Sequence, residues 1–521
     1  MLTLPVLLQS TALVHGHRVA LHEDHGTTTW DSYVARIART ATLLREWGLE
    51  PGDRFGLLCR NSVLQAQLLN AGYWAGVVPV PLNFRLAPAE IADLLDDADC
   101  TRLMIDRGLL GLLDHLPLTS RRRHAVVLDI GVDVDLDVDA DGWCSRIDAL
   151  SPATPHAVDE RDDALLLYTG GTTGRSKGVR LSHRNVLTNA LQLSRVMRPT
   201  EDDVYLHVSP MFHSTDLKAT VVTMFGGGHV YLKEFSAAGV LDAVQRHRVT
   251  ILSIVPTMIV RLLREGDLEG HDLSSLRLIS YGTSPIDEGV LRQAMAAFGN
   301  VGFHQCYGLT ETAPLLAVLD EAAHRRALVD HPALLRAAGR PLPGVAMRFI
   351  DDDGHDVPKG AAGELIVRGP QVTDGYLNRP EDNALAFRDG WFHTGDIARI
   401  DDDGYLHLLD RKKDMVITGG ENVYTREVER VLEQHPRVRE VAVIGVPDTH
   451  YGEALLGIVV LDGAGADEPT PGELIAFCRT QLGGFKIPRQ YHFVPDLPRT
   501  SLGKVRKHEL AAILGKVPRA L

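Results

Sequence analysis

Short apolar runs alternate with longer stretches of helical spacing, and this alternation limits the possible folds more than any other feature of the sequence. The β-branched and aliphatic runs RFGLLC, DALLLYT and LRLISYG are typical of strands, and SYVARIARTATLLREWG has its apolar residues at helical spacing. Buried strands that alternate with crossover helices build parallel sheets. The sequence therefore predicts an α/β fold whose binding residues lie in the loops that follow the carboxyl ends of strands.

The pattern changes from about residue 340, and the 521-residue chain is long enough for more than one globular unit. RFIDDDGHDV and ARIDDDGYLH each place an Asp-Gly turn between alternating apolar residues, as in β-hairpins. After RKKD the sequence predicts a helix, a turn, a strand and a further helix. The aspartate clusters leave a divalent-metal site open, although turn chemistry alone accounts for Asp before Gly.

We therefore predict two domains. Residues 1–410 form a large N-terminal domain of parallel-rich sheets with flanking helices and a β-barrel-like part. Residues 411–521 form a small α+β domain, and the boundary lies near Asp410–Lys413.

Composition excludes several classes of function. With 54 Lys and Arg against 68 Asp and Glu, the chain has a net charge of −14, which argues against nucleic acid or an anionic membrane surface as a partner. Five scattered cysteines without a CxxC pair argue against a disulfide framework and fit a reducing compartment. No apolar run is long enough to span a bilayer. We expect a soluble cytoplasmic protein.

The segment YTGGTTGRSKGV follows the apolar run ALLL and precedes a stretch of helical spacing. Its glycines leave backbone N–H groups free to face an anion, and its hydroxyl groups and lysine add further donors. It is not a Walker A loop, because Lys177 lies between Ser176 and Gly178 rather than before Ser or Thr. We predict a polyphosphate site made by Thr169, Gly170, Gly171, Thr172, Thr173, Gly174 and Lys177.

Two further segments carry isolated carboxylates. In HQCYGLTETAP, Glu311 suits Mg²⁺, which takes only one or two protein oxygens beside phosphates, although a helix-capping Thr-Glu pair is an equally common use of this pattern. In WFHTGD, Asp396 suits the two hydroxyl groups of a ribose, and an Asx turn is the alternative.

Together with RKKDMVITGGENVYTREVE and PRTSLGKVRK, these segments resemble in order and spacing the adenylate-forming superfamily of acyl-CoA synthetases, peptide-synthetase adenylation domains and luciferases. The resemblance covers essentially the whole chain and includes SPMFHSTDLKA, SYGTSP and GELIVRGPQVTDGYLNRPEDNALAF. FHTGD and GGENVY are most similar to the fatty-acyl and aryl-CoA synthetase branch.

The resemblance implies an acid–thiol ligase that uses ATP, Mg²⁺ and coenzyme A. A small carboxylic acid, fatty or otherwise hydrophobic, would become an acyl adenylate and then a thioester. An acyl carrier protein as the acceptor is the nearest alternative, and a non-catalytic nucleotide-binding protein is a more distant one. A homodimer stays open.

The resemblance also implies the site residues. In the nucleotide site these are Tyr307 and Gly308 at the adenine, Thr310 at the α-phosphate, Glu311 at Mg²⁺, Asp396 and Arg411 at the ribose, and Gly282, Thr283 and Ser284 at the adenine and acyl pocket. Elsewhere they are His213 beside the entering acid, Lys504 as catalytic lysine, Lys413 as hinge of a mobile C-terminal domain, and Gly419, Gly420 and Glu421 at the thiol tunnel.

The alternatives without a functional role are a core histidine for His213, a surface lysine for Lys413 and a solvated basic tail around Lys504. The sequence departs from the family pattern at Thr425, where the family usually has proline after GGENVY. We expect Thr425 to cap a helix that begins near Arg426.

Overall fold

The computed structural model describes residues 2–115, 124–128, 134–135, 143–169, 176–284, 286–418, 421–448, 451–462, 469–500 and 504–514. The chain divides into two compact units. The first unit contains the segments up to residue 346 together with Arg368–Gly390, and the second contains Met347–Val367 together with the segment from Trp391 onward. No helix in the described ranges is long and apolar enough to cross a membrane.

A large mixed sheet organises the first unit. Its inner strands, from Gly302–Tyr307 to Val19–Glu23, are parallel, and antiparallel strands flank them on both sides. In spatial order the strands are Arg340–Pro341, Ala317–Leu319, Gly302–Tyr307, Leu278–Gly282, Ile251–Ile254, Val204–His207, Gly228–Tyr231, Val19–Glu23 and Gly26–Thr29.

A second, mainly parallel sheet and a hairpin complete the strands of this unit. The second sheet has the order Val78–Pro81, Arg54–Leu58, Arg102–Asp106, His124–Leu128 and Val134–Asp135. The hairpin pairs Asp163–Thr169 with Lys177–Ser182, and Phe387–Arg388 is a short strand. The predicted strand DALLLYT therefore has the observed bounds. The segment after the loop is a strand, and the predicted helix begins only at His183.

Amphipathic helices cover these sheets. The helix Trp30–Glu46 begins after Thr29, whose side chain accepts a hydrogen bond from the backbone N–H of Ser32, and it buries Trp30 and Ile37 in the core. The α-helices of the first unit are Leu4–His15, Trp30–Glu46, Val63–Ala75, Pro88–Asp97, Trp143–Ala149, His183–Met197, Thr220–Met224, Ala237–His247, Pro256–Glu265, Glu288–Ala297, Glu321–Val329 and Pro380–Ala386. Its 3₁₀ helices are Arg107–His115, Ser214–Ala219, Thr310–Thr312 and Pro332–Arg336.

The second unit contains two further sheets. In the first, Gly363–Arg368 lies between Ala346–Ile350 and Trp391–Ile400, and Trp391–Ile400 also pairs with Leu406–Arg411. The second sheet has the order Glu421–Val423, Val416–Thr418, Gly452–Leu461 and Val438–Asp448, with Gln490–Phe493 parallel to Gly452–Leu461. Its helices are Thr425–Leu432, Pro471–Arg479 and Lys507–Leu514, and Gly484–Lys486 is a 3₁₀ turn. The α/β class and the α+β character of the C-terminal part are confirmed.

Thr425 does not cap its helix. Tyr424 is the N-cap residue, and Thr425 is the first helical residue, with its hydroxyl group fully buried and donating to the Asp410 carboxylate at 2.8 Å. A buried hydroxyl is stabilised by such a partner, and the carboxylate is a stronger acceptor than a backbone carbonyl. The prediction of a cap was therefore wrong, because a buried tertiary partner competes for the hydroxyl group.

Candidate active site

The ends of two adjacent parallel strands place the first group of predicted residues together. Gly282 and Cys306 are partners in register at the ends of Leu278–Gly282 and Gly302–Tyr307. A Cβ atom on Gly282 would lie 2.2 Å from the carbonyl oxygen of Cys306, so only glycine fits there. Thr283 follows with φ +72°, a left-handed conformation that is unfavourable for a β-branched residue and concentrates at functional sites.

Tyr307 is buried at the end of its strand and leads into the 3₁₀ helix Thr310–Thr312. Between them, a Cβ atom on Gly308 would lie 2.0 Å from the carbonyl oxygen of Pro314. The Thr310 and Ser214 hydroxyl oxygens lie 3.2 Å apart. The strand order thus gathers the predicted adenine, α-phosphate and acyl residues at one edge of the large sheet.

Glu311 is 9% exposed and is positioned by two contacts. The Tyr376 hydroxyl group donates to Glu311 Oε1 at 2.8 Å, and the backbone N–H of Thr373 donates to the Glu311 carbonyl oxygen at 2.8 Å. Among the described residues, the second carboxylate oxygen accepts no hydrogen bond. One fixed carboxylate with an available oxygen fits Mg²⁺, which takes one or two protein oxygens beside phosphate and water.

Lys177 begins the strand after the predicted phosphate loop, in register with Thr169. Its ammonium group lies 2.5 Å from Asp382 Oδ1 and 5.1 Å from the centre of the Tyr376 ring. Lys177 and Glu311 therefore share one neighbour, Tyr376. The predicted loop residues Gly170, Gly171, Thr172, Thr173 and Gly174 lie outside the described residues.

His213 directly precedes the 3₁₀ helix Ser214–Ala219 and is only partly buried, with the Phe212 ring centre 4.6 Å from its own. Desolvation, with a smaller contribution from Arg85, lowers the pKa of His213 to about 3. The imidazole is therefore neutral at physiological pH.

In the second unit, Asp396 and Arg411 are partners in register on adjacent strands. Arg411 Nε lies 2.8 Å from Asp396 Oδ1, and Arg411 Nη1 also donates to the Thr394 carbonyl oxygen at 3.1 Å. Asp396 lies within the strand Trp391–Ile400 rather than in an Asx turn, so the alternative for this residue was wrong. Gly395 has φ +68° and allows the strand to turn the carboxylate toward Arg411.

Lys504 lies in the electrostatic environment of Asp396 and Arg411. Two hydrogen bonds fix its backbone: the Lys504 N–H donates to the Thr500 hydroxyl oxygen at 3.1 Å, and the Thr500 N–H donates to the Lys504 carbonyl oxygen at 2.8 Å. Although the residue as a whole is exposed, desolvation by the surrounding protein lowers the pKa of Lys504 to about 8, and the Arg411 charge adds to this shift. Asp396 opposes the shift.

Two of the remaining predicted residues, Lys413 and Glu421, lie in the described part of the second unit. Lys413 is exposed in the turn after Leu406–Arg411, and desolvation lowers its pKa, with Asp414 opposing. Glu421 is exposed and is the register partner of Thr418, and the predicted residues Gly419 and Gly420 lie outside the described residues. No hydrogen bond or ion pair within the described ranges joins Glu421 to Lys504.

Two functional candidates were missed by the sequence reasoning: Tyr376 and Asp382. Both lie in GELIVRGPQVTDGYLNRPEDNALAF, which supported the resemblance but received no roles. The only sequence signal for these two residues is a hydroxyl or carboxylate group at a fixed position within that segment. Their partners, Glu311 and Lys177, are distant in sequence.

One of the two aspartate clusters forms an exposed group of possible metal ligands. Ligand atoms of Asp351, Asp353 and His355 lie within 4.8 Å of one another. However, Asp351 Oδ1 accepts backbone hydrogen bonds from Asp353 at 3.0 Å and His355 at 2.9 Å. These are turn contacts, which account for the cluster without an ion.

Comparisons with known proteins find similar sequences and structures. The family of AMP-binding enzymes matches residues 8–377, and the C-terminal domain of AMP-binding enzymes matches residues 427–504. The chain is 37% identical over 503 residues to a feruloyl-CoA synthase of Amycolatopsis sp, covering 96% of each protein. It is 34% identical to the fatty acid–[acyl-carrier-protein] ligase ScoC of Streptomyces coeruleorubidus, covering 93% of this chain and 91% of the relative. An ATP-bound crystal structure of MatB from Rhodopseudomonas palustris superposes with a TM-score of 0.86 at 33% identity, covering 99% of both chains.

Proposed function

The chain belongs to the AMP-binding enzyme family, and from this premise we propose how its residues divide the reaction. It is an AMP-forming acid–thiol ligase that converts a carboxylic acid to an acyl adenylate with ATP and then to a thioester. The acid, the acceptor and the role of each residue are the proposals that follow.

The first half-reaction has an electrostatic requirement. A carboxylate oxygen of the acid attacks the α-phosphorus of ATP, the bond to the bridging oxygen of pyrophosphate breaks, and negative charge builds up at the α-phosphate. Positioning and charge neutralisation accelerate such a step more than a covalent protein nucleophile would. Lys504 supplies a positive charge to this phosphate, and Thr310 donates a hydrogen bond to it.

Glu311 would hold Mg²⁺ through the oxygen that Tyr376 leaves available, and the ion, when bound, neutralises phosphate charge. Thr169, Lys177 and the intervening loop bind the β- and γ-phosphates. Tyr307 packs against the adenine, and the Asp396–Arg411 pair binds the ribose hydroxyl groups.

In the second half-reaction, the thiolate of pantetheine attacks the adenylate carbonyl carbon, and AMP leaves with the electron pair of the broken C–O bond. The residues after the hinge at Lys413 change orientation between the two steps. This movement withdraws Lys504 and brings Gly419, Gly420 and Glu421 to the thiol.

The observation that most supports this division is the grouping of Lys504 with Asp396 and Arg411. An ammonium with a pKa of about 8 that shares its surroundings with a ribose-binding pair is suited to stabilise charge on the adjoining phosphate.

We propose an acid with a mainly apolar body, because the names of the relatives include feruloyl and fatty-acid ligases. Coenzyme A is the favoured acceptor, and ScoC supports an acyl carrier protein as the second candidate. Four buried free cysteines, Cys59, Cys100, Cys306 and Cys478, support a cytoplasmic location.

A mass-spectrometric screen tests the proposed function. Purified protein is incubated with ATP, Mg²⁺ and a panel of aliphatic and aromatic acids, and the adenylate and pyrophosphate are measured before coenzyme A or acyl carrier protein is added. We expect an adenylate with at least one acid and a thioester after coenzyme A. Adenylate that is transferred only to the carrier protein would favour the second acceptor, and the absence of any adenylate would contradict the proposal.

A further inference from the structure

A lysine is enclosed in the core of the first unit, immediately behind the predicted acid site. Lys218 is 2% exposed and lies on the 3₁₀ helix Ser214–Ala219 that follows His213. A buried ammonium group requires a paired charge or several acceptors, because an isolated buried charge is strongly unfavourable.

The described part of the protein provides few acceptors for the Lys218 ammonium. Lys218 Nζ donates to the Ser280 hydroxyl oxygen at 3.0 Å, which is its single hydrogen bond within the described residues. No carboxylate oxygen of those residues lies within 4.0 Å of the ammonium. Ser280 is itself shared, since Cys306 Sγ lies 3.2 Å from the same oxygen. Two of the three ammonium donors are thus left without an acceptor from the described part of the chain.

The carboxylate residue on the same 3₁₀ helix, Asp216, has another partner. Asp216 lies 2.7 Å from His207 Nδ1, and His207 Nε2 lies 3.0 Å from His229 Nδ1. His229 Nε2 is in turn 3.0 Å from the Thr223 hydroxyl oxygen. This series of contacts ends at the Asp216 carboxylate. The carboxylate is therefore fixed toward His207. Burial lowers the pKa of Lys218, and Asp216 compensates only in part.

Two contacts place Lys218 at the far end of the acid site. Ser214, four residues earlier, contacts the α-phosphate candidate Thr310 at 3.2 Å. The 3₁₀ rise of about 2.0 Å per residue separates Ser214 from Lys218 by about 8 Å along the helix. Ser280, the partner of Lys218, lies two residues before the acyl-pocket residue Gly282 on one strand. An acid whose carboxylate reacts at Thr310 and whose body follows Gly282 would extend toward the lysine.

We infer that Lys218 selects acids that carry an oxygen acceptor, a phenolic or carboxylate oxygen, at the end distant from the reacting carboxylate. This inference rests on the proposed function and identifies the substrate class within it. The distal oxygen takes the vacant ammonium donors, and a plain hydrocarbon end leaves them unsatisfied. A hydrogen bond to a charged group corresponds to a preference of about tenfold to a hundredfold.

Matched acids test the inference. The kcat/KM for pyrophosphate release is measured with 4-hydroxycinnamate against cinnamate and with adipate against hexanoate. We expect the oxygenated acid to be preferred by about tenfold or more in at least one pair. Lys218→Met, which keeps the chain length and removes the charge, should abolish that preference while the KM for ATP is unchanged.

Ser280→Ala is the matched variant that removes the serine contact but keeps the cation, so it should retain the preference. If Lys218→Met does not fold, the wild-type and Ser280→Ala ratios decide the question. Ratios near one in both pairs for the wild type, or an undiminished preference in folded Lys218→Met, would overturn the inference and leave the ligase function intact. Pyrophosphate release with none of a broad panel of acids would instead overturn the proposed function together with this inference.

Discussion

The Glu311 site of the first unit and the Lys504 cluster of the second unit are stabilised by different interactions. The Glu311 site comprises Glu311, Tyr376, Lys177 and Asp382. A hydrogen bond of 2.8 Å joins Tyr376 to Glu311, an ion pair of 2.5 Å joins Lys177 to Asp382, and one Glu311 oxygen stays available. The Lys504 cluster comprises Lys504, Arg411, Lys413 and Asp396, and it contains more positive than negative charge. Desolvation lowers the pKa of Lys504, and the charges of Arg411 and Lys413 add to this shift. We propose that the first arrangement binds a metal ion and the second an anion.

The sharpest test of this difference is Lys504→Ala. Removing one preorganised charge commonly lowers a rate by about 10²–10³-fold, and we expect that loss in pyrophosphate release. Conversion of a supplied synthetic acyl adenylate to its thioester should be retained. Lys486→Ala, which removes another lysine of the same unit that pairs with Glu427, is the control and should affect neither step. Equal loss of both half-reactions in Lys504→Ala would contradict a role limited to the α-phosphate.

Glu311→Gln tests the proposed metal ligand of the Glu311 site. We expect the Mg²⁺ concentration for half-maximal pyrophosphate release to rise by about tenfold or more, because a neutral amide replaces a carboxylate ligand. Tyr376→Phe should raise this Mg²⁺ concentration by about fivefold, since the net contribution of one hydrogen bond is about 1 kcal/mol. Glu321→Gln on an exposed helix is the control. A Mg²⁺ titration identical to wild type would exclude Glu311 as a metal ligand.

Lys413→Pro asks whether the Lys504 cluster must move. Proline fixes φ near −65°, so thioester formation from supplied adenylate should fall by about tenfold while pyrophosphate release stays near the wild-type rate. Lys413→Ala leaves φ free and should lose less thioester formation than Lys413→Pro. A proline variant that keeps both half-reactions would contradict a hinge at this residue.

His213→Ala has the smallest expected effect. The neutral imidazole contributes shape rather than charge, so we expect about a tenfold change in preference among acids of different length or width. The KM for ATP should be unchanged. An unaltered acid profile would favour a structural histidine.

The sequence predicted the features that depend on local patterns. Alternating apolar runs located the strand Asp163–Thr169, and the second Asp-Gly turn located the hairpin of Trp391–Ile400 with Leu406–Arg411. Features that depend on tertiary partners were not accessible. Thr425 was expected to cap a helix but binds Asp410, and Tyr376 received no role although it contacts Glu311. The boundary at residues 410–411 stays a prediction, because segments before and after it belong to one compact unit.

The most direct test of the Lys504 cluster is the pH dependence of pyrophosphate release without coenzyme A. Desolvation destabilises the charged ammonium, so its positive charge is present below about pH 8 and is lost above it. The kcat/KM for ATP reports the free enzyme and should fall about tenfold per pH unit above pH 8, and kcat should fall at higher pH because bound phosphate stabilises the ammonium. In Lys504→Ala this alkaline fall should be absent. A kcat/KM that stays level to about pH 10, or the same fall in the variant, would contradict catalysis by this lysine.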